Sequence, residues 1–220
     1  MGLVKGLKSI NQNLDRPAGS EDRVKGTWLK LEDAQSVKIT FLQELDPDSP
    51  NYTEDAGCGF IAVEHTNPKN YLRKALCSID DQGRCFGCEM HRKDMKAGWK
   101  GKSRLYINVL VDDGNNDPYV AIMSQGSGPK SATPSIVEYA NETGSITSVV
   151  WRLKRNGKGT ETSYTITPLP TPANPGEHEL FDLEKVAVRD IAYDEQEGFF
   201  LGDEAGSSSS AASTSTSEEW

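Results

Sequence analysis

The chain has 220 residues, of which 35% are hydrophobic, 8% aromatic and 26% charged, and its net charge at pH 7 is −9. This length supports one good-sized domain whose core needs no disulfide staples, and no apolar run approaches the roughly 20 residues that cross a bilayer. The N-terminal sequence also lacks the apolar region of a secretory signal. We therefore expect a cytoplasmic protein, in which clustered cysteines are metal ligands or redox groups rather than disulfides.

Patterns of apolar residues predict a mainly β fold. In the first strand, Val37, Ile39 and Phe41 share one face, whereas the third strand is apolar on both faces and is therefore expected at the centre of the sheet. A hairpin follows, with Asn156-Gly157 as its turn. Five or six antiparallel strands suit an OB-fold barrel, although the pattern also fits a sandwich. The segments are residues 37–41, 59–65, 104–113, 117–125 and the hairpin 145–170.

Other segments have helical or disordered character. Residues 131–143 predict a short helix that begins with a Thr133 cap and has Pro134 at its first position. Residues 173–202 are acidic and predict a helical or partly ordered segment, and the low-complexity residues 203–220 predict a disordered tail. The expected domains are a flexible arm (1–24), an OB-fold core (25–172) with a zinc subdomain at about 58–104, and these two acidic segments.

Charge is distributed unevenly along the chain. Residues 177–220 contain twelve acidic and two basic residues, whereas residues 1–176 contain 21 acidic and 22 basic ones. Within this body, residues 69–104 hold ten basic residues against four acidic ones. A locally basic body with an acidic appendage indicates a nucleic-acid-binding protein.

Cysteine and histidine residues cluster in the same basic region. Cys85 and Cys88 form a CxxC pair, and with Cys77 and His65 they supply the four donors of a tetrahedral structural Zn²⁺ site. We expect Gly87, inside the pair, to let the backbone turn so that both sulfurs reach one ion.

The choice of ligands is open at this point. Cys58 or His91 also fits the place of His65. A redox CxxC and unligated thiols are the other interpretations of the pair. A catalytic deaminase zinc is less favoured, because its H-x-E and P-C-x-x-C signature is absent.

Basic residues interleave with aromatic residues in and after this region. Single-stranded nucleic acid is held by a positive groove for the phosphates and by aromatic faces on which bases stack. Some of these aromatic residues also suit a core role, Tyr106 and Trp151 in particular. The candidate DNA-binding residues are Lys69, Tyr71, Arg73, Lys74, Arg92, Lys93, Lys96, Trp99, Lys100, Lys102, Arg104, Tyr106, Trp151, Arg152, Lys154 and Arg155.

The ordered ligands, the following SRLYINVLVDD strand and the WRLKRNGKGTETSYTITPLP hairpin resemble the zinc-containing single-stranded-DNA-binding proteins of T-even bacteriophages. The WLKLEDAQSVKITFLQELD stretch is also similar to that family's first barrel strand, so the resemblance covers about residues 25–170. It implies an OB fold, a zinc-stabilised subdomain, and non-specific single-strand binding in phage DNA replication, recombination and repair. It further implies an N-terminal arm for cooperative self-association on DNA and location in the host cytoplasm.

The resemblance also gives the acidic tail a role. Its tip, Glu218, Glu219 and Trp220, is similar to the tips with which other single-strand-binding proteins recruit replication and recombination partners. The tail is expected to compete with DNA for the basic groove. The alternatives are a zinc-ribbon transcription or interaction module and a zinc or redox enzyme, although no nucleophile and base set or P-loop is visible.

Overall fold

The computed structural model describes residues 25–202, and its main element is an antiparallel sheet of seven strands. In chain order these are β1 (Ser36–Phe41), β2 (Phe60–Asn67), β3 (Asn70–Leu76), β4 (Lys102–Asp112), β5 (Tyr119–Gly126), β6 (Val149–Asn156) and β7 (Ser163–Pro172). The order across the sheet is β3-β2-β4-β1-β6-β7, and β5 pairs with β4. The predicted mainly β class is confirmed. The pairing describes an open sheet, so a closed OB barrel stays a prediction.

β4 is the central strand, as its two-sided apolar pattern predicted. β2 pairs with its residues 102–106, β1 with residues 109–112 and β5 with residues 104–111. Val109 and Ile107 are completely buried on one face, and Tyr106 is completely buried on the other. Because β4 pairs with β1 and β5 of the sheet core and also with β2, which carries His65, it connects the sheet core to the cysteine-rich region.

The helices are short. They are α1 (Ile79–Gln82), α2 (Phe86–Lys93), α3 (Thr133–Thr143), α4 (Leu183–Val186) and α5 (Tyr193–Leu201), with a 3-10 turn at Gly159–Glu161. Among residues 25–202, no helix is long and apolar enough to span a membrane.

The structure corrects several local predictions. Neither β3 nor α1 was predicted, and α1 ends at Gly83 in the left-handed conformation. The cap of α3 is Ala132 rather than Thr133. The β6–β7 hairpin turns over residues 157–162 instead of at a two-residue Asn156-Gly157 turn, because β6 still pairs at Asn156. Residues 173–202, predicted to be helical or partly ordered, contain the two short helices α4 and α5.

Three groups of buried residues organise the molecule. The largest, the sheet core, contains Phe41, Val109, Trp151 and Ile136 of α3, among others. A second group on the opposite face of the sheet is closed by α4, through Leu183 and Val186. The third consists of Ala75, Phe86, Trp99 and Phe200 and lies in the cysteine-rich lobe, which we define as residues 65–101 with α5.

Candidate metal centre and nucleic-acid interface

Four potential metal ligands converge at the base of the lobe. His65 lies near the end of β2, Cys77 directly follows β3, and Cys85 and Cys88 lie at the start of α2. Their ligand atoms all lie within 4.8 Å of one another. The lobe therefore brings one imidazole nitrogen and three sulfurs together from three elements of the fold.

The separations between the ligand atoms fit a tetrahedral metal ion. The Sγ atoms of Cys77 and Cys88 are 3.5 Å apart, and Cys88 Sγ lies 3.3 Å from His65 Nε2. A tetrahedral ion with metal–sulfur distances of about 2.3 Å and a metal–nitrogen distance of about 2.0 Å places its ligands roughly 3.5–3.8 Å apart. These four residues are therefore close enough to hold a metal ion.

The orientation of His65 also suits a metal ligand. Its Nδ1 lies 2.7 Å from the backbone oxygen of Trp99, and because a carbonyl can only accept, Nδ1–H is the donor. In the neutral ring this leaves Nε2, which faces the sulfurs, with a free lone pair. Such a hydrogen bond from the second ring nitrogen is the usual support of a metal-bound histidine.

Gly87 makes room for this imidazole. It lies within α2, without a positive φ, so the predicted turn-forming role is wrong. A Cβ at this position would overlap the Cγ, Cβ and Cδ2 atoms of His65. Only glycine therefore lets α2 approach β2 closely enough to complete the ligand set.

The thiols influence one another strongly. Burial raises the pKa of the Cys85 thiol. Hydrogen bonds from the His65 ring in its cationic form, which carries a proton on Nε2 as well, and from nearby backbone N–H groups outweigh burial and bring this pKa to about 6. Burial, together with its neighbours Cys77 and Cys85, raises the pKa of the Cys88 thiol to about 12. Thiolates are the ligand form, and three of them in this space need a bound cation to offset their repulsion.

Comparisons with known proteins give no relative for this site. No protein-family model, curated protein or solved structure matches the chain. The resemblance to the phage proteins thus stays an expectation from the sequence. The ligand set instead follows from geometry, because neither Cys58 nor His91 belongs to the cluster found among the described residues.

Helix α5 packs against the other elements of the lobe. Phe200 is completely buried, with its ring centroid 6.0 Å from that of Phe86 and 5.3 Å from that of Trp99. The Gln196 amide, also completely buried, accepts a hydrogen bond from the backbone N–H of Phe86 and donates one to Ser78 Oγ. The last helix of the acidic segment, α5, therefore folds as part of the lobe.

Three of the predicted DNA-binding aromatic residues are buried. Trp151 lies in the sheet core and donates its Nε1–H to the backbone oxygen of Ile146. Tyr106 and Trp99 are enclosed by the second and third groups of buried residues. A base cannot stack on a ring without an exposed face, so the assignments of Trp99, Tyr106 and Trp151 as base contacts are wrong for this structure.

Four predicted basic residues are half-buried and have partners within the protein. Arg73 donates to the backbone oxygen of Phe199, at the end of α5, and Arg155 donates to that of Leu31. Arg104 donates to Ser124 Oγ. Lys74 is hydrogen-bonded to Glu64 and Tyr106. These four side chains therefore make hydrogen bonds that stabilise the fold.

The other predicted nucleic-acid contacts are exposed. Tyr71 is 79% exposed and, with Leu72 beside it, lies in β3 next to the turn of the β2–β3 hairpin at residues 68–69. The exposed cations are Lys69, Arg92, Lys93, Lys96, Lys100 and Lys102 in and beside the lobe, and Arg152 and Lys154 on β6. Glu218, Glu219 and Trp220 lie outside the described residues.

Sequence reasoning missed a buried polar cluster beneath the lobe. Glu64 accepts hydrogen bonds from Lys74 Nζ at 3.0 Å and from the Tyr106 hydroxyl at 2.5 Å. Burial, followed by the neighbouring Glu64 carboxylate, raises the pKa of Tyr106. Gln196 and Phe200 were also missed. In the sequence, Glu64 is a polar residue within a strand, and Gln196 and Phe200 lie within an acidic segment. Neither feature shows which distant residue each side chain contacts.

Proposed function

We propose that this protein is a non-enzymatic, sequence-independent single-stranded-DNA-binding protein with one structural zinc ion. The observation that carries the proposal is the lobe itself. Four clustered potential metal ligands lie within a small polar unit, and its surface displays cations and an exposed aromatic residue, Tyr71, of the β2–β3 hairpin. Phosphates need the cations and bases need the aromatic face. No other chemistry suggested by the sequence uses both features.

Zinc is the metal that the donor set suits best. Three cysteine sulfurs and one histidine nitrogen are a common set for structural zinc, and together they fill a tetrahedron with protein ligands. The role assigned to the ion is therefore to stabilise the lobe. Because the lobe has only one small apolar group, consisting of Ala75, Phe86, Trp99 and Phe200, metal binding would supply much of its stability.

The proposed DNA contacts divide into two types. Lys69, Lys100, Lys102 and their exposed neighbours in the lobe would contact phosphates, without regard to sequence. Tyr71, beside the turn of the β2–β3 hairpin, would stack on a base. A base-stacking contact contributes about 1–3 kcal/mol, so this one side chain would account for a substantial part of the affinity.

The remaining roles rest on the sequence resemblance. The acidic tail, with Glu218, Glu219 and Trp220 at its tip, would recruit replication, recombination and repair proteins and compete with DNA for the basic surface. The N-terminal residues would support cooperative self-association on DNA. A phage protein with these properties would act in the host cytoplasm.

The test is a fluorescence-anisotropy titration of labelled oligo-dT and of a duplex of the same length, at several salt concentrations, with the zinc content measured in the same sample. We expect about one zinc ion per chain and strong preference for the single strand, with an affinity that falls steeply as salt rises. Preference for a particular duplex would instead favour a zinc-ribbon transcription module. Binding to neither would refute the proposed function.

A matched pair of variants tests the stacking residue. Tyr71→Ala should weaken oligo-dT binding by about 1–3 kcal/mol and leave the salt dependence unchanged, because no phosphate contact is lost. Tyr119→Ala, which removes another exposed tyrosine on β5 outside the lobe, should have little effect. Equal losses in both variants would contradict the role of Tyr71.

A further inference from the structure

A second cationic surface lies on the sheet, outside the lobe. β1, β6 and β7 are adjacent, and their pairing aligns exposed side chains in two rows across the three strands. One row consists of Lys38, Arg152 and Thr167, and the other of Ser36, Lys154 and Thr165. We call these six residues the cationic panel.

The panel is the outer side of well-ordered strands. The residues between its members, such as Val37, Ile39, Trp151 and Leu153, are buried in the sheet core. Because successive side chains of a strand point to opposite faces, all six panel residues face away from this core. All six are exposed, so the panel presents three cations and three hydroxyl groups to solvent.

The arrangement of charge within the panel is unfavourable for the sheet alone. Lys38 and Arg152 are directly opposite each other on neighbouring strands, and like charges at such positions are destabilising. The nearest carboxylate, Asp112 on β4, lies 4.0 Å from Lys38 Nζ, and both side chains are about half exposed. An exposed pair of this kind contributes little, and among residues 25–202 Arg152 and Lys154 have no carboxylate partner in a salt bridge.

The panel is distinct from the lobe. In the sheet, β3 and β2 carry the lobe, whereas β6 and β7 lie at the other end of the strand order. β2 pairs with β4 at residues 102–106, and β1 pairs with it at residues 109–112. The two surfaces therefore flank β4 from different ends of this strand.

We propose that the cationic panel is a second phosphate-binding surface for the single strand that the lobe contacts. Lysine, arginine, serine and threonine side chains are the usual donors to phosphate oxygens, and the panel contains only these types. Phosphate groups between Lys38 and Arg152 would also offset the repulsion between these side chains. This inference rests on the proposed function and assigns Lys38, which has no aromatic neighbour in sequence, to the DNA interface.

The experiment compares two triple variants of the full chain. Lys38→Ala, Arg152→Ala and Lys154→Ala together remove the panel cations, whereas Lys30→Ala, Lys130→Ala and Lys185→Ala remove the same charge from exposed positions elsewhere. Binding of an oligo-dT of about 20 nucleotides, longer than one OB-fold site, is measured against salt concentration. Circular dichroism and the thermal midpoint verify the fold, and a second panel variant with glutamine at the three positions keeps the polar surface.

The panel variants should reduce the slope of log K against log salt by about 2, since each of three lost phosphate contacts contributes about 0.7. The control should keep the wild-type slope. If wild-type protein binds the single strand and the panel variants keep its slope, the inference is wrong and the proposed function stands. The panel substitutions are also made in a chain that lacks residues 203–220. If they no longer change the salt slope there, the panel binds the acidic tail rather than DNA, and the inference is again wrong. If wild-type protein does not bind, the proposed function itself fails.

Discussion

The sheet core and the lobe are stabilised in different ways. The sheet core contains sixteen buried hydrophobic residues contributed by five strands, α3 and neighbouring loops, among the residues the structure describes. The buried hydrophobic group of the lobe consists of Ala75, Phe86, Trp99 and Phe200, and the four clustered potential metal ligands lie beside it. The first region is stabilised mainly by hydrophobic burial, whereas we propose that the second depends also on a bound metal ion and on α5.

This difference explains why the basic surface and the cysteines share one stretch of sequence. A unit that displays many cations has few positions left for apolar residues. Metal binding is a compact substitute for a hydrophobic core, since structural zinc contributes on the order of 10 kcal/mol in small domains. Stability of the lobe and of the sheet should therefore be separable.

The largest expected effect is that of losing the metal. Chelation, or the substitution Cys85→Ser, should abolish hydrogen-exchange protection in the lobe while β1, β4 and β6 keep theirs, because the sheet core does not include the ligands. The same treatments should lower the zinc content and the affinity for oligo-dT. Cys58→Ser, which lies outside the cluster, should retain the metal. Simultaneous loss of protection in the sheet would contradict two separable regions.

A smaller effect comes from truncating one aromatic residue in each region. Phe→Ala and Trp→Ala substitutions in buried sites cost about 3–5 kcal/mol. Trp151→Ala should lower the global free energy of unfolding, because its ring contacts Phe41 and Tyr139 in the sheet core. Phe200→Ala should lower protection in the lobe only. Denaturant unfolding combined with hydrogen exchange would distinguish these outcomes, and identical profiles would show a single cooperative unit.

Gly87→Ala tests the packing of α2 against β2. In an exposed helix interior this change is stabilising by about 1 kcal/mol, because glycine has low helix propensity. Here the added methyl group overlaps the imidazole of His65, so we expect destabilisation of the lobe by about 1–3 kcal/mol and weaker metal binding. Competition with a metal indicator measures the affinity. Gly128→Ala, where the methyl group meets no neighbour, is the control.

The smallest effect concerns the sheet at high pH. Burial and the Glu64 carboxylate raise the pKa of Tyr106 above its usual value, so the folded protein holds this proton while the unfolded chain releases it near pH 10. The contribution of this hydroxyl group to the free energy of unfolding is fully present below about pH 10. Above that pH it decreases by about 1.4 kcal/mol per pH unit, until the folded protein also releases the proton. Tyr106→Phe should flatten this part of the stability profile, whereas Tyr119→Phe should not.

Much of the fold could be predicted from local patterns. The alternation of Val37, Ile39 and Phe41 and the two-sided apolar pattern of β4 each determine a strand and its buried face. β3 was missed because only one of its seven residues is fully buried, and Tyr71 and Leu72 near its start do not alternate with polar residues. α2 was missed because its CxxC pair was interpreted as a turn.

The candidate site was predictable in composition and less so in arrangement. Residue types and spacing identified His65, Cys77, Cys85 and Cys88 but left Cys58 and His91 as alternatives. The aromatic candidates were less certain, because an aromatic residue beside a lysine is equally compatible with a core and with a nucleic-acid surface. Trp99, Tyr106 and Trp151 proved to be buried.

The sequence by itself determined the mainly β class, the central strand, the donor types of the metal centre and the separation of basic and acidic charge. Each of these depends on neighbouring residues and their periodicity. The tertiary structure decided which donors meet, which aromatic residues are buried, and that Lys38 lies opposite Arg152. It also placed Phe200 in the lobe, where Asn67 donates to its backbone oxygen across 133 positions of sequence. Such contacts depend on how distant segments pack together, and no local pattern records that.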